Sequence, residues 1–169
     1  NSDALNNLGY FYLKGHGVKQ DYKKAKEYFE LSAKQNNSES YLNLGNLFFY
    51  GHGVKPDYLK AKEYYEKSAK YNNAKACFHL GNLYFEGFGV QQDYLKAIKY
   101  YELSFRFGYF RALNSIGNLY YNGFGVKRDF SKAKELFELA SKQNDPDSFF
   151  NLGNIYYNGY GVKQDHKKA

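Results

Sequence analysis

Several residues have side chains that could do chemistry, and each was weighed by what its chemistry would require. Ser131-Lys132-Ala133-Lys134 has the Ser-x-x-Lys spacing that sets a lysine beside a serine nucleophile. Enzymes that use it also need a Lys-Thr-Gly element, and this chain contains no Thr. The same step in other units holds Lys23, Leu59 and Leu95, which points to variation on a helix surface. His16 and His52 share one position, but Phe88, Phe124 and Tyr160 follow them there. A metal needs several ligands about 2 Å from one ion, and two loops a repeat apart do not provide them. Gly15-His16-Gly17-Val18 lacks the third glycine of a dinucleotide loop and follows a helix rather than a strand. His79 and His166 are isolated. Cys77 stands where Leu5, Tyr41, Leu113 and Phe149 stand in other units, and reads as a small buried side chain. No carboxylate pair suited to acid/base work can be assembled. The reading is a non-catalytic chain with no cofactor and no metal site.

Those residues sit in a frame that repeats at a fixed step. Gly-x-Gly-Val occurs at Gly15, Gly51, Gly87, Gly123 and Gly159, each 36 residues after the last. A Leu-Gly or Ile-Gly pair recurs in phase at Gly9, Gly45, Gly81, Gly117 and Gly153. An Asp-aromatic-x-Lys-Ala box starts at Asp21, Asp57, Asp93 and Asp129, and again at Asp165 with His166 in the aromatic place. A fixed period of this length signals stacked supersecondary units. The units are 1–36, 37–72, 73–108 and 109–144, with a partial unit at 145–169. No Met is present, and the last unit stops where the others continue into an amphipathic run. The expectation is an excerpt of a longer protein.

Each unit reads as two helices. The first covers about 3–14, 39–50, 75–86, 111–122 and 147–158, with apolar residues such as Ala4, Leu5, Leu8, Phe11 and Tyr12 on one stripe. Gly9 and its equivalents lie inside that stripe. A mid-helix glycine costs about 1 kcal/mol against alanine, so its repetition implies close approach of the second helix. Gly15 and its equivalents fall where a left-handed cap belongs, and the following Val can fold back on the helix end. Asp145-Pro146 reads as a cap followed by the first helical position. The second helix follows Asp21, Asp57, Asp93 and Asp129 as N-caps. It alternates small residues with aromatics, as in Ala25, Tyr28, Phe29 and Ser32. Its outer face pairs Lys23 with Glu27, Lys26 with Glu30 and Lys62 with Glu66 at helical spacing.

The Leu-Gly, Gly-x-Gly-Val and Asp…Lys-Ala elements together resemble the Sel-one-like repeat, a relative of the tetratricopeptide repeat, over the whole chain. The resemblance implies an all-α, right-handed α-solenoid of antiparallel helix pairs. It also implies an adaptor or scaffold that binds a protein or peptide. In the similar tetratricopeptide arrays the first helices line a concave face. Mapped through the Leu-Gly motif, that face holds Asp3, Asn6, Tyr10, Leu13 and Lys14 in the first unit. The Tyr10 position becomes Asn46, Asn82, Asn118 and Asn154, a ladder with one rung per unit. Beside it run Phe49, Phe85, Tyr121 and Tyr157. An Asn amide both donates and accepts, so it can pair with the peptide units of an extended ligand. Helices packed about 10 Å apart would each meet about three residues of such a chain. The alternative is that these asparagines tie neighbouring repeats together, or that the aromatics are core. If they face a groove, replacing Asn82 and Asn118 by Ala leaves melting nearly unchanged. A branch of the family pairs cysteines within each repeat, and its properties do not transfer to a chain with one Cys.

The formal charge is +7, with 20 Tyr and 15 Phe. Nucleic-acid binding would need clustered Lys/Arg with exposed aromatics. Here the lysines interleave with Glu and the aromatics hold core-periodic positions, so no nucleic-acid partner is expected. No apolar run approaches the roughly 18 residues of a membrane span. One Cys excludes an internal disulfide framework; the cytoplasm is favoured without being identified, and the oligomeric state is open. A second functional reading is a regulatory or dimerisation arm of a larger enzyme, such as a kinase, or an adaptor in endoplasmic-reticulum quality control.

Overall fold

The computed structural model describes all residues, 1–169, as nine helices and no strands. The first helices of the units are α1 (Ser2–Lys14), α3 (Ser38–Tyr50), α5 (Ala74–Glu86), α7 (Arg111–Asn122) and α9 (Pro146–Asn158). The second helices are α2 (Tyr22–Ala33), α4 (Tyr58–Ala69), α6 (Tyr94–Arg106) and α8 (Phe130–Ser141). Each helix packs on its neighbours in sequence, more extensively within a repeat than between repeats. This is an all-α solenoid. No helix is long and apolar enough to cross a membrane.

The ends of the elements follow from their residue types. Asp21, Asp57, Asp93 and Asp129 each accept a hydrogen bond from the backbone N–H three residues on, which fixes the start of each second helix. Asn37, Asn73 and Asp145 cap first helices in the same way. The fourth unit differs. Tyr109 replaces the capping residue, α7 starts without a side-chain cap, and the Tyr109 ring packs on Phe78 at 5.1 Å instead. Val54, Val90, Val126 and Val162 pack back onto the core after the Gly-x-Gly turns.

The mid-helix glycines are sites of helix contact. A Cβ on Gly45 or Gly81 would lie 2.5 Å from ring atoms of Tyr65 or Tyr101, and Phe29 and Phe137 cover Gly9 and Gly117 likewise. These four rings are essentially buried, as are Ala25, Ala61, Ala97 and Ala133 beside them.

The Gly-x-Gly turn also joins repeats, which the sequence reading did not anticipate. The residue between its glycines stacks on the first aromatic of the preceding unit's second helix. The pairs are His52 on Tyr22, Phe88 on Tyr58, Phe124 on Tyr94 and Tyr160 on Phe130, with centroids 4.7–5.2 Å apart. At its second glycine, Gly53, φ is +69° and a Cβ would lie 2.4 Å from the Cβ of Tyr22. The turn therefore needs glycine for conformation and for close approach. Of the expected surface ion pairs, Lys26–Glu30 and Lys62–Glu66 form at 2.7 Å, and Lys134–Glu138 joins them at 2.9 Å. Lys23 and Glu27 do not pair. The lysine of each Asp…Lys-Ala box lies near an aromatic ring: Lys24 over Tyr12, Lys60 over Phe48, Lys96 over Tyr84, Lys132 over Tyr120 and Lys168 over Tyr156, with Lys60 and Lys96 also reaching their box aspartates and Lys132 donating to the Tyr120 hydroxyl.

Candidate partner-binding groove

The asparagine ladder lies along the first helices, one residue after each mid-helix glycine. Because Gly45 and Gly81 let a ring cross the helix, the phenol beyond it reaches the next residue. Tyr65 donates to Oδ1 of Asn46 at 2.9 Å, and Tyr101 donates to Oδ1 of Asn82 at 2.8 Å. Burial pushes both phenol pKa values well above the usual range, so both hydroxyls stay protonated. With Oδ1 engaged, Asn46 and Asn82 keep Nδ2 as their outward donor. Asn118 is held differently. Its neighbour across the helix is Phe137, which has no hydroxyl, and its Oδ1 accepts from Nδ2 of Asn151 in the next unit at 3.1 Å. The backbone carbonyl of Asn154 accepts from Asn158.

The side chains at the ladder are thus partly structural. Asn46 and Asn82 brace a core tyrosine, and Asn118 ties two repeats. Asp3 and Asn6, placed on the same face, are likewise inter-repeat acceptors: Asn37 donates to Asp3, and both Ser40 and Asn43 donate to Asn6. The aromatic row is half-buried at the repeat junctions. Phe49 meets Tyr58 and Phe88; Phe85 meets Tyr94 and Phe124; Tyr121 meets Phe130 and Tyr160. Tyr157 is exposed and contacts His166.

Four of these residues converge on one cleft of about 360 Å³. Phe49 of α3, Asn82 and Phe85 of α5, and Asn118 of α7 line it. Tyr101 forms part of its wall, and Glu86, Phe88 and Ser115 complete the lining. Sequence reasoning did not single out Ser115 or Glu86. Ser115 occupies the step held by Asn43, His79 and Asn151. His79 of the third unit lies flat over Tyr65 of the second, with centroids 5.0 Å apart and planes 13° from parallel. That burial, with Lys75 nearby, lowers the His79 pKa to about 4. Next to the third unit's Tyr101 the fourth unit places a serine at that step, and the Asn82 side chain lines the cleft beside the buried Tyr101 ring. The signal was present as a size change at one repeat position, but its meaning depends on which ring lies beneath.

Other candidate residues have structural surroundings. Cys77 is buried, and burial raises its thiol pKa to about 11, which keeps it protonated and unreactive. Lys134 pairs with Glu138, away from Ser131. His52 stacks between Tyr22 and Tyr50.

The Sel1 repeat family profile matches residues 2–37, 38–72, 74–106, 111–145 and 146–169, which is nearly the whole chain. The chain belongs to the Sel1 repeat family. Among solved structures, a Sel1 repeat protein from Oxalobacter formigenes is similar, with a TM-score of 0.94 and 32% identity over 99% of this chain and 69% of that one. The protective antigen c5321 of uropathogenic Escherichia coli, described as displaying an SLR fold, aligns with a TM-score of 0.87 and 31% identity. It covers 99% of this chain, but this chain spans 36% of the antigen's length. Helicobacter pylori cysteine rich protein B aligns at 27% identity and a TM-score of 0.59, over 79% of this chain and 96% of that one. Among curated proteins, none matches. Sel1 repeats generally mediate protein interactions, and the fold is a scaffold type rather than an enzyme type. This Sel1 array carries the solenoid that such scaffolds share.

Proposed function

We propose that this Sel1 array is a protein-interaction scaffold that holds an extended peptide segment of its partner along the first-helix groove, with the third repeat as the main contact. One observation carries the reading. At the third repeat the amides of Asn82 and Asn118, spaced one repeat apart, line the same cleft as Phe49 and Phe85. Asn82 is already oriented, because Tyr101 occupies its carbonyl oxygen and turns Nδ2 outward as a donor for a peptide carbonyl. The aromatic edges supply apolar contact to a side chain at little entropic cost, since the rings are fixed at the repeat junction. A cleft of this size is at the lower end of the range for small-ligand sites, about 300–1,000 Å³. It suits one side chain of a longer segment, not a whole small-molecule substrate.

The test is a random-peptide display selection on the wild-type array, with recovered peptides re-measured on Ser115→His. That variant installs the side chain that covers the corresponding ring in the second repeat. The expected result is enrichment on wild type and at least about a tenfold loss of affinity on the variant, a change of about 1.4 kcal/mol, with unchanged helicity. Peptides that bind both proteins equally would overturn the groove reading.

A further inference from the structure

We infer that the third-repeat cleft receives a basic side chain, arginine or lysine, of the bound peptide. This rests on the groove reading above and gives its ligand a chemistry. The first argument is charge. Glu86 is the only charged residue that lines the cleft, and none of the chain's 24 Lys and Arg does so, although the formal charge is +7. Glu86 is exposed at the rim, on the last turn of α5, where the other units have Lys14, Tyr50, Asn122 and Asn158. The cleft is thus an acidic spot on a basic protein, at the one first-helix terminus of the five that ends in a carboxylate.

The second argument is how this chain treats its aromatic rings. Tyr12, Phe48, Tyr84 and Tyr120 each carry a lysine of their own repeat over the ring, at 4.2–5.3 Å from the centroid. Phe49, Phe85 and Phe88 line the cleft together, and no lysine or arginine of the chain lies over them. The faces of such rings are electron-rich and their edges are not, and the faces of Phe49 and Phe85 beside a carboxylate form an aromatic-acidic box, the arrangement that attracts an ammonium or guanidinium group. A basic residue would lay its apolar stem on the rings and its head against Glu86, while Nδ2 of Asn82 and Asn118 meet its backbone carbonyls.

The experiment uses four pentapeptide mixtures, acetyl-X-X-Z-X-X-amide, with Z fixed as arginine, citrulline, leucine or glutamate. Citrulline keeps the arginine shape without the charge. Each is titrated into the isotopically labelled array, and the side-chain amide signals of Asn82 and Asn118 are followed by NMR. The expected result is that the arginine mixture shifts these signals about tenfold more tightly than citrulline. Glu86→Gln should reduce that preference below about threefold, and Ser115→His should remove the shifts. If citrulline or leucine shifts these amides as tightly as arginine, and Ser115→His still abolishes the shifts, the basic-residue inference is overturned while the groove reading stands. If no mixture shifts them, or Ser115→His leaves the shifts intact, both are overturned. Glu86 is solvent-exposed, so Glu86→Gln tests charge without disturbing the fold.

Discussion

The second and third repeats are built on the same frame, and they differ where it meets solvent. Both carry a tyrosine that crosses a glycine and donates to an asparagine, Tyr65 to Asn46 and Tyr101 to Asn82. Over the second repeat's ring lies His79 of the next repeat, stacked on Tyr65. At the third repeat's ring the corresponding residue of the next repeat is Ser115, and a cleft lined by Phe49, Phe85 and Glu86 forms beside the buried Tyr101. A solenoid thus makes a distinct site by changing one residue at a repeat position while its neighbours keep the scaffold unchanged. The first and fourth repeats make the complementary point. With Phe29 and Phe137 in place of the tyrosines, the residue after the glycine loses its phenol partner, and Asn118 turns to the next repeat.

The largest expected effect strikes the frame that both repeats share. Gly81→Ala would place a methyl group 2.5 Å from the Tyr101 ring. The ring is enclosed and held by its hydroxyl, so overpacking should exceed the helix-propensity gain of about 1 kcal/mol, leaving a net loss of about 2 kcal/mol. Denaturant unfolding measures this. An increase in stability would mean that the ring is free to move, and the fixed-tyrosine basis of the comparison would fail.

The next effect separates the repeats by pH. In the folded chain the His79 pKa is about 4, below the ordinary value of 6.5. Between those values the unfolded chain binds a proton that the folded chain does not, so stability is full above about pH 6.5 and falls as the pH drops toward 4. Two and a half pH units set a ceiling of about 3 kcal/mol, and a half-buried ring on this face should realise ~1–2 kcal/mol. His79→Asn, which installs the residue found at Asn43 and Asn151, should flatten the stability profile in that window. Equal acid sensitivity in both proteins would show that His79 does not cover Tyr65 as described.

A smaller effect concerns the ladder. Asn82→Ala removes the acceptor of a buried phenol, and Asn118→Ala removes one of the two acceptors of Asn151, which keeps Asn114. The first should cost about 1 kcal/mol and the second less. The cost follows from the hydrogen bonds these asparagines make within the fold. Tyr101→Phe should cost about the same as Asn82→Ala, and the double variant little more than either. Additive losses would show that the two side chains act independently.

Much of the fold is legible in the sequence because its signals are local and repeated. The 36-residue step, the left-handed glycines and the aspartate caps each depend on a residue and its near neighbours. The same holds for Asp145-Pro146 at the start of α9. The mid-helix glycines also announce a close contact, although not which ring makes it. The site is less legible, because its residues act across a repeat boundary. The stacking of Phe88 on Tyr58 joins positions 30 residues apart, and nothing local marks either as a partner of the other. Ser115 matters only because it lines the cleft beside Tyr101, and Glu86 only because it lines the same cleft. The ladder is visible as a pattern, but its hydrogen bonds depend on whether Tyr or Phe stands 19 residues later.

The most direct test exchanges the two covering residues. The double variant His79→Ser/Ser115→His keeps composition and charge while moving the opening from the third repeat to the second. Peptides selected on the wild-type array would be titrated into it, with the side-chain amides of Asn46 and Asn82 observed by NMR. The predicted result is that the Asn82 shifts disappear and any remaining binding is reported by Asn46. Undiminished binding reported by Asn82 would contradict the claim that the residue at this step decides which repeat is open to a partner.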